Sequence, residues 1–293
     1  MTKLLLGILL GLPLLATADI QINDDMGHLV RLGSPAKRIV SLAPHVTENL
    51  FAAGAGAMIV GVVEHSDYPA AAKQLPSVGP YSRLDLERVI ALKPDLVIAW
   101  ESGNAKGNVE KLRALGLTVY VTQPNEMNDI AIQLEQFGKL AGTEKAANAA
   151  ALQFRQRLAG LQKQYADKSP VKVFYQVWKQ PMMTVGGQQI ISKAIRLCSG
   201  DNVFGQLGNL APTVSVEAVI AAKPEVIVAS GMGESRPDWV DDWRPWKSIP
   251  AVSNEHLYFI PPDLIQRHTP RLLDGTEQLC RFIAKARPVT STR

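Results

Sequence analysis

Residues 84–100 read LDLERVIALKPDLVIAW, and residues 214–230 read VSVEAVIAAKPEVIVAS. Aligned without gaps at an offset of 130, seven of the seventeen positions are identical, among them Glu87/Glu217, Val89/Val219 and Lys93-Pro94/Lys223-Pro224. Each copy parses in one way. Asp85 or Ser215 can cap a short helix, and the Glu two residues later lies in a first turn that the helix dipole favours. Leu86, Val89 and Ile90 fall at helical spacing. Lys-Pro stops the helix, because the residue before a proline avoids the α region. Asp95 to Ala99 is then a short β-branched apolar run, the mark of a buried parallel strand. Two copies are too few for a solenoid. They predict two similar lobes, each with a helix, a tight turn and a buried strand in this block.

The same alternation continues on both sides. Strands are expected at 38–42, 59–63 and 118–121, with helices at 47–53 and 107–115. In the second half, strands are expected at 171–177, 226–229 and 257–260, with a helix at 190–198. Strands alternating with helices imply parallel sheets and right-handed crossovers. Between the halves, residues 143–168 read TEKAANAAALQFRQRLAGLQKQYADK, with one Gly and no Pro. These are mostly strong helix formers, and Thr143 is a fair N-cap. About 23 residues of helix would make a strut of roughly 35 Å. The expected fold class is therefore α/β: two Rossmann-like lobes with parallel sheets, joined by one long backbone helix. The expected divisions are a lobe over 19–142, the connecting helix over 143–168 and a lobe over 169–293. A ligand cleft belongs between such lobes.

Lys3, the apolar run Leu4 to Leu15, and Ala16-Thr17-Ala18 follow the order of a secretory signal peptide over residues 1–18. The run is too short for a membrane span of about 20 residues. No Cys stands at the cleavage site to suggest a lipid anchor. The mature chain is expected to be free in an oxidising compartment. Net charge is +4 for the whole chain. There is no dense basic run, so nucleic acid is not an expected partner. Two cysteines, Cys198 and Cys280, stand 82 residues apart. In an oxidising compartment an isolated pair tends to be bridged. A reactive thiol or a metal ligand is the other reading, and no CxxC spacing supports it. The five histidines, at 28, 45, 65, 256 and 268, show no HxH or HxxxH cluster, so no metal site is expected. There is no G-x-S-x-G, H-E-x-x-H or P-loop, and no enzymatic activity is expected.

The run RIVSLAPHVTENLFAAG (38–54), then HSDYP (65–69), then LERVIALKPDLVIAW (86–100), resembles the helical-backbone class (class III) of ABC-importer substrate-binding proteins, and most of all its cobalamin-binding branch. The resemblance extends from about Arg38 to Phe282 and implies a periplasmic monomer. It implies a cleft that holds cobalamin as a transported ligand, with no resident cofactor, and a disulfide between Cys198 and Cys280. It implies that Glu87 and Glu217 sit on top of the two lobes and dock on the two permease subunits of an ABC importer. It also implies ligand contacts for Tyr81, Trp100, Asp263 and Arg267, and for His65, which is either a polar cleft group or an axial group for cobalt. Trp178, following the strand at 171–177, is added as an aromatic that could stack from the second lobe. Ala211 and Met183 replace aromatics of the family, which implies a smaller second-lobe wall and leaves room for a truncated corrinoid. Haem or a ferric siderophore is the alternative ligand on the same fold. The segment DWVDDWRPW (238–246) is either packed on the second lobe or part of the cleft rim.

Overall fold

A computed structural model describes residues 19–231 and 235–288. The expected signal peptide, residues 1–18, lies outside the described residues. A hairpin of β1 (Ile20–Asn23) and β2 (Leu29–Leu32) comes first. The first lobe then runs β3 (Ile39–Ser41), α1 (Pro44–Ala52), β4 (Ile59–Val62), α2 (Leu86–Ala91), β5 (Leu96–Trp100), α3 (Lys106–Ala114), β6 (Val119–Thr122) and α4 (Asp129–Ala141). The helix α5 (Glu144–Tyr165) leads to the second lobe. That lobe runs β7 (Val171–Gln176), α6 (Ile190–Leu197), β8 (Gly200–Asn202), α7 (Val216–Ala222), β9 (Val226–Ala229), α8 (Pro250–Ser253), β10 (Leu257–Phe259), α9 (Pro262–Ile265) and α10 (Leu272–Lys285).

Each lobe holds a four-stranded parallel sheet, in the orders β4-β3-β5-β6 and β8-β7-β9-β10. In chain order within each lobe, both sheets wind second-first-third-fourth. The repeat therefore occupies the same place in each: a helix feeding the third strand. Asp85 and Ser215 do cap, accepting from the amides of Arg88 at 3.0 Å and Ala218 at 3.2 Å. Lys93 and Lys223 both turn the chain in the left-handed region, at φ 48° and 50°. Alternate side chains of the strands serve opposite faces. Leu96 and Ile98, like Val226 and Val228, face a core shared by both lobes. Val97 and Ala99 face an outer core under α2 and α3, and Ile227 faces a second outer core with Phe174 and Trp243. Strands covered on both faces need apolar residues at every position, which is why the runs are continuous.

The shared core explains how the lobes are held. It passes from Ile39 and Ile98 through Ala151, Phe154 and Leu158 of α5 to Val173, Val228 and Ile283. Burying a Leu or Phe contributes about 1.5–3 kcal/mol, so wide separation of the lobes would expose costly surface. Among its 22 residues α5 buries one stripe, Ala147, Ala151, Phe154, Leu158, Leu161 and Tyr165. Its 22 residues span about 33 Å. The Cys198–Cys280 disulfide forms, tying the end of α6 to α10.

Several expectations shift. The first helix starts at Pro44, not Thr47, because proline suits a first helical position and Ala43 takes the cap. Thr143 makes no cap hydrogen bond; its hydroxyl instead donates to the Ala53 carbonyl at 2.7 Å, fastening α5 to the end of α1. The hairpin, β8, α4 and α10 were not anticipated. The Trp-rich segment is packed on the second lobe: Trp243 is buried edge-on against Phe174, and its indole donates to Gln176 at 2.8 Å.

Candidate functional site

Open parallel sheets offer a crevice at the strand ends where the winding reverses. Here that is the C-terminal end of β3 and β5 in one lobe and of β7 and β9 in the other. Trp100 ends β5. Its backbone amide donates to Asn104 at 2.7 Å, and the Asn104 amide group donates to the carbonyls of Leu42 and Tyr81, each at 2.9 Å. One buried Asn thus fixes the end of the strand, the entry to α1 and the loop carrying Tyr81. Gly103 lets the Trp100 ring lie close: a Cβ there would stand 1.9 Å from Cε3 of the indole.

A ring cluster fills the floor of the cleft. Trp100 meets His45 at 5.0 Å, Tyr81 at 6.0 Å and His268 at 6.2 Å between centres, and His45 meets His268 at 5.4 Å. His45 and His268 are buried, while Tyr81 is exposed. Burial, and next the neighbouring His268 and Arg267, hold His45 well below the ordinary histidine range. Burial takes His268 down to about 4. Both imidazoles are therefore neutral at pH 7. Among the described residues, the buried ring nitrogens His45 Nε2 and Trp100 Nε1 have no hydrogen-bond partner.

Beside the rings lies a charge cluster that joins the lobes. Arg271 makes two hydrogen bonds of 2.7 Å with Glu48, whose side chain is 2% exposed. The Arg271 guanidinium also lies 3.8 Å from the centre of the Tyr68 ring. Burial works against its charge, but the hydrogen bonds and charge of Glu48 carry the pKa of Arg271 upward. Arg267 bonds Asp67 at 2.6 Å, Asp263 at 2.9 Å and the His65 carbonyl at 3.2 Å. Burial alone would raise Asp67; the Arg267 hydrogen bond and charge bring it below the usual carboxylate value. Asn49 adds a neutral tie, donating to the His268 carbonyl at 2.9 Å and to Gln133 at 3.2 Å.

At the other end of the ring cluster, a cavity of about 190 Å³ is lined by both lobes: Trp100, Gln123 and Asn125 from the first, Gln188, Gln189 and His268 from the second. Besides these four amides the lining holds Ser102, Pro124, Ile190 and Leu210, and it carries no Asp, Glu, Lys or Arg. Lys193, further along α6, is already paired with Glu126 across the lobes. A hollow of about 330 Å³ also lies where Phe154, Arg157 and Arg271 meet. Its arginines are taken up by Asp274, Glu277 and Glu48, so it offers no free charge.

The expected site residues thus fall into groups. Tyr81 and Trp100 come together as aromatic neighbours. His65, Asp263 and Arg267 come together through the Arg267 hydrogen bonds, with His65 exposed at φ 64°. Trp178 is exposed beyond the end of β7, its indole donating to the Gln180 carbonyl at 3.0 Å. Glu87 and Glu217 are exposed in the first turns of α2 and α7. Sequence reasoning missed His45, Glu48, His268, Arg271 and Asn104. The one available signal was polar residues at positions of α1 that periodicity assigns to the core. Among the described residues, no group of three or more His, Cys, Asp or Glu is placed to hold a metal ion, and no helix is long and apolar enough to cross a membrane.

Comparison with known proteins gives consistent matches. A family model described as periplasmic binding protein matches residues 39–264. The vitamin B12-binding protein of Vibrio cholerae serotype O1 is 38% identical over 250 residues, 85% of this chain and 90% of its own. That of Vibrio parahaemolyticus is 38% identical over 255 residues, 86% and 91% of the two chains. The crystal structure of the periplasmic vitamin B12 binding protein BtuF of V. cholerae superposes with a TM-score of 0.80 at 38% identity, covering 86% of this chain and 98% of that one. The periplasmic heme-binding protein RhuT from Roseiflexus sp. RS-1 gives a TM-score of 0.76 at 24% identity, covering 86% and 99%, a likeness of fold alone.

Proposed function

The chain belongs to the periplasmic binding protein family, and from that premise we propose that it captures a corrinoid of the cobalamin type in its interlobe cleft and delivers it to an ABC importer. Membership makes it a periplasmic binding protein and not an enzyme. The ligand is proposed from the pairing of an exposed aromatic face with an uncharged amide wall. A corrinoid is a broad, flat macrocycle fringed with carboxamides. Tyr81 and Trp100 offer it aromatic surface, and Gln123, Asn125, Gln188 and Gln189 bring uncharged amides to the cavity, although the side-chain oxygens of Gln123 and Gln189 already accept from the backbone amides of Ser102 and Ile191. Haem, with its carboxylate arms, would call for free cations. Arg267 and Arg271 are each already engaged by carboxylates. The relatives named for vitamin B12 at 38% identity support the same choice. Asp263 and Arg267 are proposed to meet the ligand from the second lobe, His65 from the rim, and Trp178 by stacking.

Delivery is proposed to use Glu87 and Glu217. They occupy equivalent places in the repeat and are exposed, so they present one acid per lobe to a pseudo-symmetric membrane partner, where rim charges steer docking and set register. Reversing both charges (E87K/E217K) should abolish corrinoid uptake in cells while leaving affinity in solution unchanged; unchanged uptake would remove these residues from docking. The ligand itself is tested by isothermal titration of the mature protein with cyanocobalamin and with cobinamide. One-to-one binding to either is expected, and their ratio reads how far the second lobe senses the nucleotide. Folded, ligand-free protein that binds neither would overturn the proposal in favour of haem or a ferric siderophore.

A further inference from the structure

The ring cluster at the cleft floor holds more unpartnered nitrogen than a finished core should. Buried polar groups in folded proteins are nearly always hydrogen-bonded, yet among the described residues His45 Nε2 and Trp100 Nε1 have no partner. Among the described residues no side-chain hydrogen bond engages the His268 ring either. Of the two histidines, His268 lines the cavity between the lobes, beside Trp100. Its backbone is fixed, since its carbonyl accepts from Asn49 at 2.9 Å, and the preceding Arg267 is held by Asp67 and Asp263. A fixed, buried imidazole that lines a ligand cavity and makes no side-chain hydrogen bond among the described residues has a lone pair to offer.

We propose that His268 supplies an axial nitrogen ligand to the cobalt of an incomplete corrinoid, one with no nucleotide base of its own to fill the lower position. This rests on the corrinoid reading above and deepens it. The step is a simple ligand exchange: a cobalt-bound water leaves, the imidazole nitrogen bonds in its place, and no electron is transferred. Neutral imidazole is a common metal ligand, and burial keeps this one neutral. His45 packs edge-on against this ring, 5.4 Å away between ring centres, and limits its movement by contact. His65 suits the role less, because it is exposed at the rim, where water competes for the metal.

The test titrates diaquocobinamide into the mature protein with two readouts, calorimetry for binding and the visible spectrum for the axial ligand. Wild type should bind with a shift to the spectrum of nitrogen-ligated cobalt. H268A should bind roughly tenfold more weakly or worse and keep the spectrum of the aquo form, and adding free imidazole to the H268G complex should restore the shift. Cobinamide binding without a spectral shift in wild type, or an unaltered shift in H268A, overturns the ligation and leaves the corrinoid reading standing. Absence of any corrinoid binding overturns both.

Discussion

Replacing Arg271 by Met should cost more stability than any other single change in the interlobe charge cluster. The side chain of Glu48 is 2% exposed and that of Arg271 19% exposed, and they share two hydrogen bonds of 2.7 Å. R271M keeps most of the apolar stem but strands a carboxylate away from water. Removing one partner of a buried pair costs about 3–5 kcal/mol. Arg267 lies 4.0 Å from Glu48 and offsets part of this, so the lower end, about 3 kcal/mol, is expected. For a chain of this size each kcal/mol moves Tm by about 2–4 °C, which gives a fall of roughly 6–12 °C. E48Q should cost less, about 1–2 kcal/mol. The guanidinium it leaves behind is more exposed and still stacks on Tyr68 at 3.8 Å. The double variant E48M/R271M leaves no stranded charge and should recover more than half of the R271M loss, since apolar replacement of both partners is often near neutral. Thermal melts followed by circular dichroism, backed by urea titration, measure all three. An R271M protein melting within about 2 °C of wild type, or a double variant no better than R271M, would refute the reasoning.

Gly103→Ala places a methyl group where the Trp100 ring lies, 1.9 Å from Cε3, so the indole must move; corrinoid affinity should fall about tenfold although residue 103 need not touch ligand, and an unchanged titration would show that Trp100 is not a contact. The pH dependence follows from His268. Its folded pKa of about 4 lies below the unfolded value of about 6.5, so between these the unfolded chain binds more protons and stability rises with pH. Stability fully present above pH 6.5 should drop by about 3 kcal/mol as pH falls to 4. His45 adds to the same slope, H268Q should flatten it, and a melting temperature that is level from pH 7 to 4.5 would contradict it. Removing the disulfide in C198S/C280S frees a closed loop with a sequence separation of 82. An upper figure of roughly 4–5 kcal/mol follows from loop entropy, and calorimetry showing no loss would mean that the reduced chain is already held by the packing of α6 on α10.

The fold was readable because its signals are local. Each strand, 96–100 and 226–229, carries its own apolar run, and each is preceded by a capped helix and a Lys-Pro turn that any short window reveals. The hairpin and α4 escaped for a local reason too. Residues 20–32 form short strands beside a turn at Asp24 to Gly27, too brief for a period-two pattern to stand out. In α4, Gln133 is buried and breaks the apolar stripe because it hydrogen-bonds Asn49 rather than packing as a hydrophobe.

The site was readable only where it follows from the repeat, and the physical reason lies in how the two copies differ. At the offset of 130, Trp100 at the end of β5 corresponds to Ser230 at the end of β9. The scaffold positions before them agree: Val89 and Val219 are both fully buried, and Lys93 and Lys223 share one backbone conformation. At the cleft end the agreement stops. The first lobe presents an indole there, while the second has a small, fully buried serine whose hydroxyl and carbonyl oxygens both accept from Gln266. The partners that complete the cleft, Glu48 with Arg271 and Asn49 with His268, are separated by 223 and 219 residues. No periodicity links residues so far apart; only closure of the two lobes on one core brings them into contact. Symmetry therefore builds the frame, and its departure at the strand ends sets an indole in the first lobe where the second has a buried, hydrogen-bonded serine.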